Sequence, residues 1–344
     1  MKIFYAVQAT GNGHISRAME ILPYLEQYGS VDLFLSGNNS NLPVNANVQY
    51  RSKGLSLFYS GNGGLSYFDT MKALQPRRIF NEVKNLPVEK YDLVINDFES
   101  ITAMACAYKK VKSINFGHQA SFMSNNTPRP KRKNIIGELV LKNYARASKY
   151  VGLHFEQYDD FILPPIIKND IWAATPKNYG HITVYLLSYT DTSITKSLSP
   201  LKDFQFEVFS KEVNQKTCIG NITFIPIDKN EFNKSLINCH GIITGAGFET
   251  PAEALYLQKK ILVMPVSGHY EQSCNAAALE KLGVQTIKLL DNNFATTFSN
   301  WINNYQQKIV HYTKNTEAIV DTMMEYASEI NKIPQYNLGQ LGFE

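Results

Sequence analysis

The chain has 344 residues, of which 44% are hydrophobic and 19% charged, with a net charge of +4. That balance argues against disorder and supports a sizeable core, and the length suits two domains better than one. No stretch approaches the roughly 18 apolar residues of a membrane-spanning helix, and the short apolar start lacks the pattern of a signal peptide, so a cytoplasmic protein is expected.

Charge is unevenly placed. Residues 1–162 hold 19 Lys and Arg against 13 Asp and Glu, and the remainder 15 against 17. Between Cys106 and Lys149 ten basic residues accompany a single acid, Glu138. Such a patch attracts membrane headgroups, nucleic acid or an acidic substrate. The cysteines, Cys106, Cys218, Cys239 and Cys274, form no C-x-x-C pair, and the seven histidines show no metal-binding spacing. Reduced thiols and no metal site are the expectation.

In chain order, Lys2–Gln8 reads as a buried strand, followed by a Gly11-Asn12-Gly13 turn. A helix from His14 to about Tyr28 places Ile15, Ala18, Met19, Leu22 and Leu25 on one face. Val31–Leu35 and Tyr91–Ile95 are the next strands, the second running into Asn96-Asp97 before a helix over Ile101–Lys109. Val111–Phe116 and Tyr150–Phe155 follow as strands, while 52–66 and 124–134 read as long loops, which often carry function. Leu163-Pro164-Pro165 marks a boundary, because consecutive prolines suit neither a helix interior nor a central strand. Beyond it the pattern restarts, with strands at His181–Leu187, Gln205–Phe209, Ile222–Ile225, Gly241–Thr244 and Ile261–Pro265, and helices at 229–237, 250–258, 270–282, 292–305 and 313–330. Short apolar strands alternating with amphipathic helices mean parallel sheets covered on both faces. The fold expected is α/β, two doubly wound Rossmann-like domains facing a cleft.

Two glycine turns stand where such folds bind ligands. Gly11-x-Gly13 departs from a dinucleotide fingerprint, because Ser16 occupies the third glycine position and Leu35-Ser36-Gly37-Asn38 lacks the acid that holds a ribose. His14 is then either a helix-capping residue or a general base. In the second half, Thr244-Gly245-Ala246-Gly247 ends a strand, with Thr250 as a candidate N-cap and Pro251 at the first helical position. Free amides at such a helix start suit a diphosphate. Glu253, one turn on, suits a sugar diol, and Glu271-Gln272 supplies acceptors and donors to hydroxyls; each is equally an ordinary polar residue at a helix start. Asp97 and Glu99, at the carboxyl end of a strand, are a second catalytic option, either orienting His14 or acting as base. His118-Gln119 is a further polar pair at the same edge.

Phe224-x-Pro226, Gly245-x-Gly247-Phe248-x-Thr250-x-x-Glu253, Pro265 and Glu271-Gln272-x-x-Asn275-Ala276 together resemble the donor box of GT-B nucleotide-sugar glycosyltransferases. The likeness takes in plant and bacterial UDP-glycosyltransferases and the N-acetylglucosaminyltransferase that makes lipid II, and is nearest to a bacterial and archaeal subgroup. Gly11-x-Gly13-His14 and Asp97-Phe98-Glu99 fit the same superfamily, so the resemblance spans most of the chain in order. It implies an acceptor-binding domain over 1–162, a donor-binding domain over 163–319 and a C-terminal helix, 320–344, packed back on the first. Phe224 and Ile225 would stay beside the nucleotide base, stacking or bonding through backbone. Gly245, Gly247, Phe248 and Thr250 would cradle the diphosphate, with Ser188 assisting. Glu253 would take the ribose and Glu271 and Gln272 the transferred sugar. His14 would deprotonate the acceptor, with Gly11, Gly13, His118 and Gln119 on the acceptor side. Two departures stand out: Gly245 replaces a histidine common in relatives, and Glu249 replaces a polar Asn, placing a carboxylate where it would repel a diphosphate unless turned away.

The reaction implied is a metal-independent, inverting transfer from a nucleotide-diphosphate sugar, with a UDP-sugar as co-substrate and no other cofactor. A 2-epimerase of the same fold and a non-catalytic nucleotide-sugar-binding protein are the alternatives. The segment 106–149 interleaves its basic residues with Phe122, Met123, Ile135, Ile136, Leu139, Val140 and Leu141. It is either a solvated basic loop with a core-facing helix or a surface for anionic membrane beside a glycan or lipid-linked acceptor, which would place the protein at the inner face of a membrane. No nucleic-acid partner is expected, since no recognition motif accompanies the charge.

Overall fold

The computed structural model describes residues 1–9, 12–37, 46, 48–55, 58–59, 65–66, 75–291, 293–304 and 306–331. Gly11, part of the loop 52–66 and residues 332–344 lie outside the described residues.

The first half contains β1 (Lys2–Gln8), α1 (Asn12–Leu25), β2 (Ser30–Ser36), β3 (Val48–Ser52), a separate ribbon of β4 (Phe58–Tyr59) and β5 (Leu65–Ser66), α2 (Pro76–Asn85), β6 (Leu93–Asp97), α3 (Ser100–Lys109), β7 (Ile114–Gly117), α4 (Ile135–Asn143), β8 (Lys149–Leu153) and β9 (Ile162–Leu163). Its sheet runs β3-β2-β1-β6-β7-β8-β9 with every pair parallel. The second half contains α5 (Asn169–Trp172), β10 (Ile182–Tyr185), α6 (Asp191–Leu198), β11 (Phe206–Ser210), β12 (Thr217–Ile219), β13 (Ile222–Pro226), α7 (Lys229–Asn238), β14 (Gly241–Gly245), α8 (Glu249–Tyr256), β15 (Lys260–Met264), α9 (Tyr270–Lys281), β16 (Gln285–Thr286), α10 (Phe294–Asn303) and α11 (Thr316–Asn331). The second sheet runs β12-β13-β11-β10-β14-β15-β16, parallel except where β12 meets β13. The result is two doubly wound α/β units.

Each central strand is buried on both faces because its side chains alternate between two helical layers. In β1, Ile3, Tyr5 and Val7 pack with Ile15, Ala18, Ile21 and Leu25 of α1, while Phe4 and Ala6 pack with Phe34, Val94, Ile101 and Ala105. In the second unit Ile182, Val184, Phe206, Phe224 and Leu262 meet Phe294, Phe298 and Trp301 from α10. The Trp301 indole N–H donates to the Ile261 carbonyl at 3.0 Å, so this large ring is buried with its polar atom satisfied. The last described helix, α11, lies on the first unit: Tyr28 donates to Asp321 at 2.6 Å, Lys149 pairs with Glu329 at 2.7 Å, and Lys112 reaches the Ile330 carbonyl at 2.7 Å.

Helices α2, α4 and α6 and strands β3, β9, β12 and β16 carry weak local signals. In α2 only Val83 is fully buried, with Ile79 packed against the same core, and α4 turns Ile135, Ile136 and Leu139 outward. Helix α8 begins earlier than the Thr250-Pro251 pair suggests: Phe248 is its N-cap and no side chain caps it.

Strand order reverses direction between β1 and β6 in the first sheet and between β10 and β14 in the second. Open parallel sheets bind ligands outside the carboxyl ends of strands at such switch points. Contacts from Arg17 to Glu249, Gln119 to Glu271 and His118 to Asn275 join the two units across the intervening cleft.

Candidate active site

The first switch point assembles a buried polar cluster. Register pairs Val7 with Asp97, so the turn after β1 and the end of β6 lie side by side. His14, in the first turn of α1, brings Nδ1 to 2.7 Å from Asp97 Oδ1. Asp97 is projected there by a sharp strand-to-helix turn: Phe98 has φ 52°, and the Asn96 side chain donates to the Glu99 carbonyl at 2.8 Å while accepting from the Glu99 amide at 2.6 Å. A left-handed phenylalanine persists only where its surroundings over-determine it.

Arg17 completes the cluster. Its Nε and Nη2 donate to Asp97 Oδ2 and Oδ1 at 3.0 and 2.7 Å, and Nη2 also lies 3.0 Å from His14 Nδ1. Burial alone would raise the Asp97 pKa, but Arg17 and His14 beside it hold the carboxyl below its usual range. An ionised Asp97 only accepts, which assigns the Nδ1 proton to His14 and leaves Nε2 as a lone-pair acceptor. Consistent with that tautomer, the Gln119 amide nitrogen stands 3.4 Å from Nε2, and it also donates to Glu271 Oε1 at 3.1 Å. Arg17 is absent from the sequence candidates; the available signal was its place three residues after His14, on the same helical face.

Glu99 is a correction. Its carboxylate caps α3, accepting from the Ile101 and Thr102 amides at 2.8 and 2.6 Å, and burial raises its pKa. It serves its own helix, and Asp97 is the acid that reaches His14.

Gly117, at the end of β7, has φ 118°, and a Cβ there would lie 2.9 Å from Asp97 Oδ1 and 3.0 Å from Arg17 Nη2. Gly117→Ala therefore combines backbone strain with displacement of the cluster, and we expect a loss of about 1–3 kcal/mol together with reduced turnover. Urea unfolding and a rate assay check this; wild-type values in both would contradict it.

Across the cleft, β14 ends at Gly245 and α8 begins after Gly247, where an added Cβ would meet nothing within 4 Å. That open turn leads to helix amides that no side chain caps. Glu249, on the first turn of α8, points away from those amides and forms an ion pair with Arg17. Its Oε2 also sits against Gly13, where a Cβ would overlap it. The Glu249 carboxylate is thus held against the opposite domain.

Residues 1–304 match glycosyl transferase family 1. The chain belongs to that family. No curated protein is similar enough to count as a relative. Among solved structures, the S. aureus MnaA–UDP co-structure superposes with a TM-score of 0.60 at 13% identity, covering 98% of each chain. MurG of Acinetobacter baumannii gives 0.54 at 15% identity, covering 94% of this chain and 99% of its own. Arabidopsis thaliana UGT89C1 complexed with UDP-L-rhamnose gives 0.53 at 12%, covering 96% and 97%. At these identities the likeness is one of fold, the GT-B arrangement of two Rossmann-like units, and the family adds the activity class, sugar transfer.

In this glycosyltransferase several other candidates lie elsewhere than their patterns suggest. Phe224 is 1% exposed in the second core, so its ring cannot stack on a base, and Ile225 is buried as well. What β13 offers a ligand is backbone. Phe248 packs its ring face to face on His118 with centroids 4.1 Å apart, which makes its side chain an interdomain contact. His118 is buried between the Leu153 carbonyl at 3.0 Å and Asn275 Oδ1 at 2.7 Å, out of reach of an acceptor. Glu253 is 2% exposed and pairs with Lys168 at 3.1 Å, so its carboxylate is already engaged by a cation. Gln272 Oε1 accepts from the Val266 amide at 2.9 Å and fixes the turn before α9. Ser188 is exposed just beyond β10, at the second switch point, and Thr250 lies in the first turn of α8. Among the described residues no three His, Cys, Asp or Glu side chains are grouped to hold a metal ion.

Proposed function

We propose that the chain transfers a sugar from a nucleotide-diphosphate sugar, a UDP-sugar, to an acceptor hydroxyl with inversion and without a metal ion. The observation that carries this reading is the 2.7 Å contact between His14 and Asp97 at one switch point, facing the uncapped start of α8 across the cleft. His14 Nε2 takes the acceptor hydroxyl proton while Asp97 stabilises the imidazolium that forms. The acceptor oxygen bonds to the anomeric carbon from the face opposite the leaving group. The carbon–oxygen bond to the diphosphate breaks, its electron pair staying with the phosphate oxygen, whose charge the α8 amides stabilise. Gly245, Gly247 and Thr250 line that turn. Glu253, shared with Lys168, would take the ribose, and Glu271 and the Gln272 amide nitrogen, whose Oε1 partner is the Val266 amide, would take the transferred sugar. Burial would raise the Glu271 pKa, but His269, His118 and His14 keep it low, so it stays an acceptor for sugar hydroxyls.

Thermal unfolding tests the donor class. At about one hundred times its dissociation constant, UDP should add about 2.7 kcal/mol of stability while NAD adds none. A shift with NAD and none with UDP would overturn the reading, and product formed from donor alone would point to epimerisation.

The acceptor we propose is a glycan or lipid-linked hydroxyl presented at an anionic membrane surface. Lys131, Arg132 and Lys133 are exposed, followed by Ile135, Ile136 and Leu139 at 77%, 54% and 58% exposure. Basic residues beside outward apolar side chains suit an anionic lipid interface. Helix α4 also borders the cleft, Gly137 lying against the Tyr270 ring of α9. Arg129, Phe122 and Leu141 of the same segment do not contribute: Arg129 is buried on Glu138 at 2.6 Å, and the other two are in the core. Lys131, Arg132 and Lys133 each replaced by Ser should abolish sedimentation with vesicles containing phosphatidylglycerol; unchanged sedimentation would end the idea. No helix among the described residues is long and apolar enough to cross a membrane.

A further inference from the structure

We infer that Glu249 is an internal stand-in for the donor diphosphate, and that Arg17, held by Glu249 until the donor arrives, then donates to that diphosphate from the acceptor domain. The inference rests on the donor reading above and adds the residue that answers the leaving group from across the cleft.

The charges motivate it. Arg17 is 3% exposed and already carries a two-point pair with fully buried Asp97, which by itself balances one guanidinium. Glu249 is therefore a second anion on one cation, brought in from the other domain. A carboxylate in the first turn of a helix ordinarily favours that helix's own amides. Glu249 instead leaves α8 with no side-chain cap, places Oε1 on Arg17 Nη1 and sets Oε2 in the space a Cβ at Gly13 would need. One anionic group thus occupies a position bounded by a buried guanidinium, a glycine turn and an open helix start.

A diphosphate docked on the α8 amides brings more charge to the same place. Arg17 Nη1 can then exchange one anion for another without leaving Asp97, and Glu249, repelled by the newcomer, turns to solvent. No bond is made or broken in this exchange. Its consequence is a donor affinity lowered by the ion pair it must displace, and a guanidinium already in position when the leaving group gains charge.

The test compares UDP and uridine binding by calorimetry in the whole chain and in Glu249→Gln. Asp97 still balances Arg17 in this variant, so the fold is kept. UDP should bind about tenfold more tightly to E249Q than to wild type, and uridine, which lacks the diphosphate, should change by less than about twofold. A UDP affinity that is unchanged or weaker in E249Q overturns the inference by itself. Removing both buried charges together, Arg17→Met with Asp97→Asn, separates exchange from simple repulsion: adding E249Q there should gain nothing, and a gain that persists in full also overturns it. If neither wild type nor E249Q binds UDP or uridine, the donor reading falls and this inference falls with it.

Discussion

His14→Ala should lower sugar-transfer turnover by about 10²–10⁴-fold while UDP affinity stays within about twofold of wild type. The split follows from where His14 stands. It belongs to the domain opposite the proposed donor site, and its Nδ1 is held by Asp97 at 2.7 Å, so its removal takes away the proposed base without touching the α8 turn. His14→Gln, which keeps polarity without a titrating imidazole, should be equally slow. The measurement is UDP release from a UDP-sugar with acceptor present, alongside calorimetric UDP binding. Wild-type turnover in either variant would remove His14 from the mechanism.

The largest stability effect is expected for Arg17→Met, a loss of about 3–5 kcal/mol at neutral pH, read by urea unfolding. Methionine fills much of the space but leaves Asp97 fully buried without its cation. The pH dependence carries the diagnostic sign. In wild type the Asp97 pKa is depressed, burial being outweighed by Arg17 and His14, so its stabilising contribution is fully present above the ordinary aspartate pKa and disappears as pH falls through the folded value. In Arg17→Met burial raises the Asp97 pKa above its unfolded value, so protonation on acidification relieves the penalty. The gap between variant and wild type should therefore narrow as pH falls from 7 toward about 4. A constant gap would mean that Arg17 acts through packing and not through Asp97.

The strand-to-turn-to-helix units around His14 and Gly247 were legible because their signals are local. The continuous apolar run in Lys2–Gln8, the glycines after it and the apolar face of α1 all lie within one short stretch. Helix α4 was not legible, since Ile135, Ile136 and Leu139 face outward and break the pattern that marks a core helix. Glu99 illustrates a different failure. Two acids two residues apart look equivalent in a string, but the sharp turn at Phe98 sends one to its own helix and the other to His14.

The sequence by itself determined two doubly wound α/β units, and it marked His14 and the Gly245–Gly247 turn as candidate features at the ends of their strands. Tertiary structure alone decided the partners: Asp97 lies 83 residues from His14 and Glu249 lies 232 from Arg17. Backbone periodicity reports which face of an element is buried and says nothing of which charge lies opposite it. That depends on strand order and domain approach, which put a buried guanidinium between two carboxylates from different domains. The same approach explains Glu249, whose partner, Arg17, is supplied by the opposite unit once the cleft is assembled.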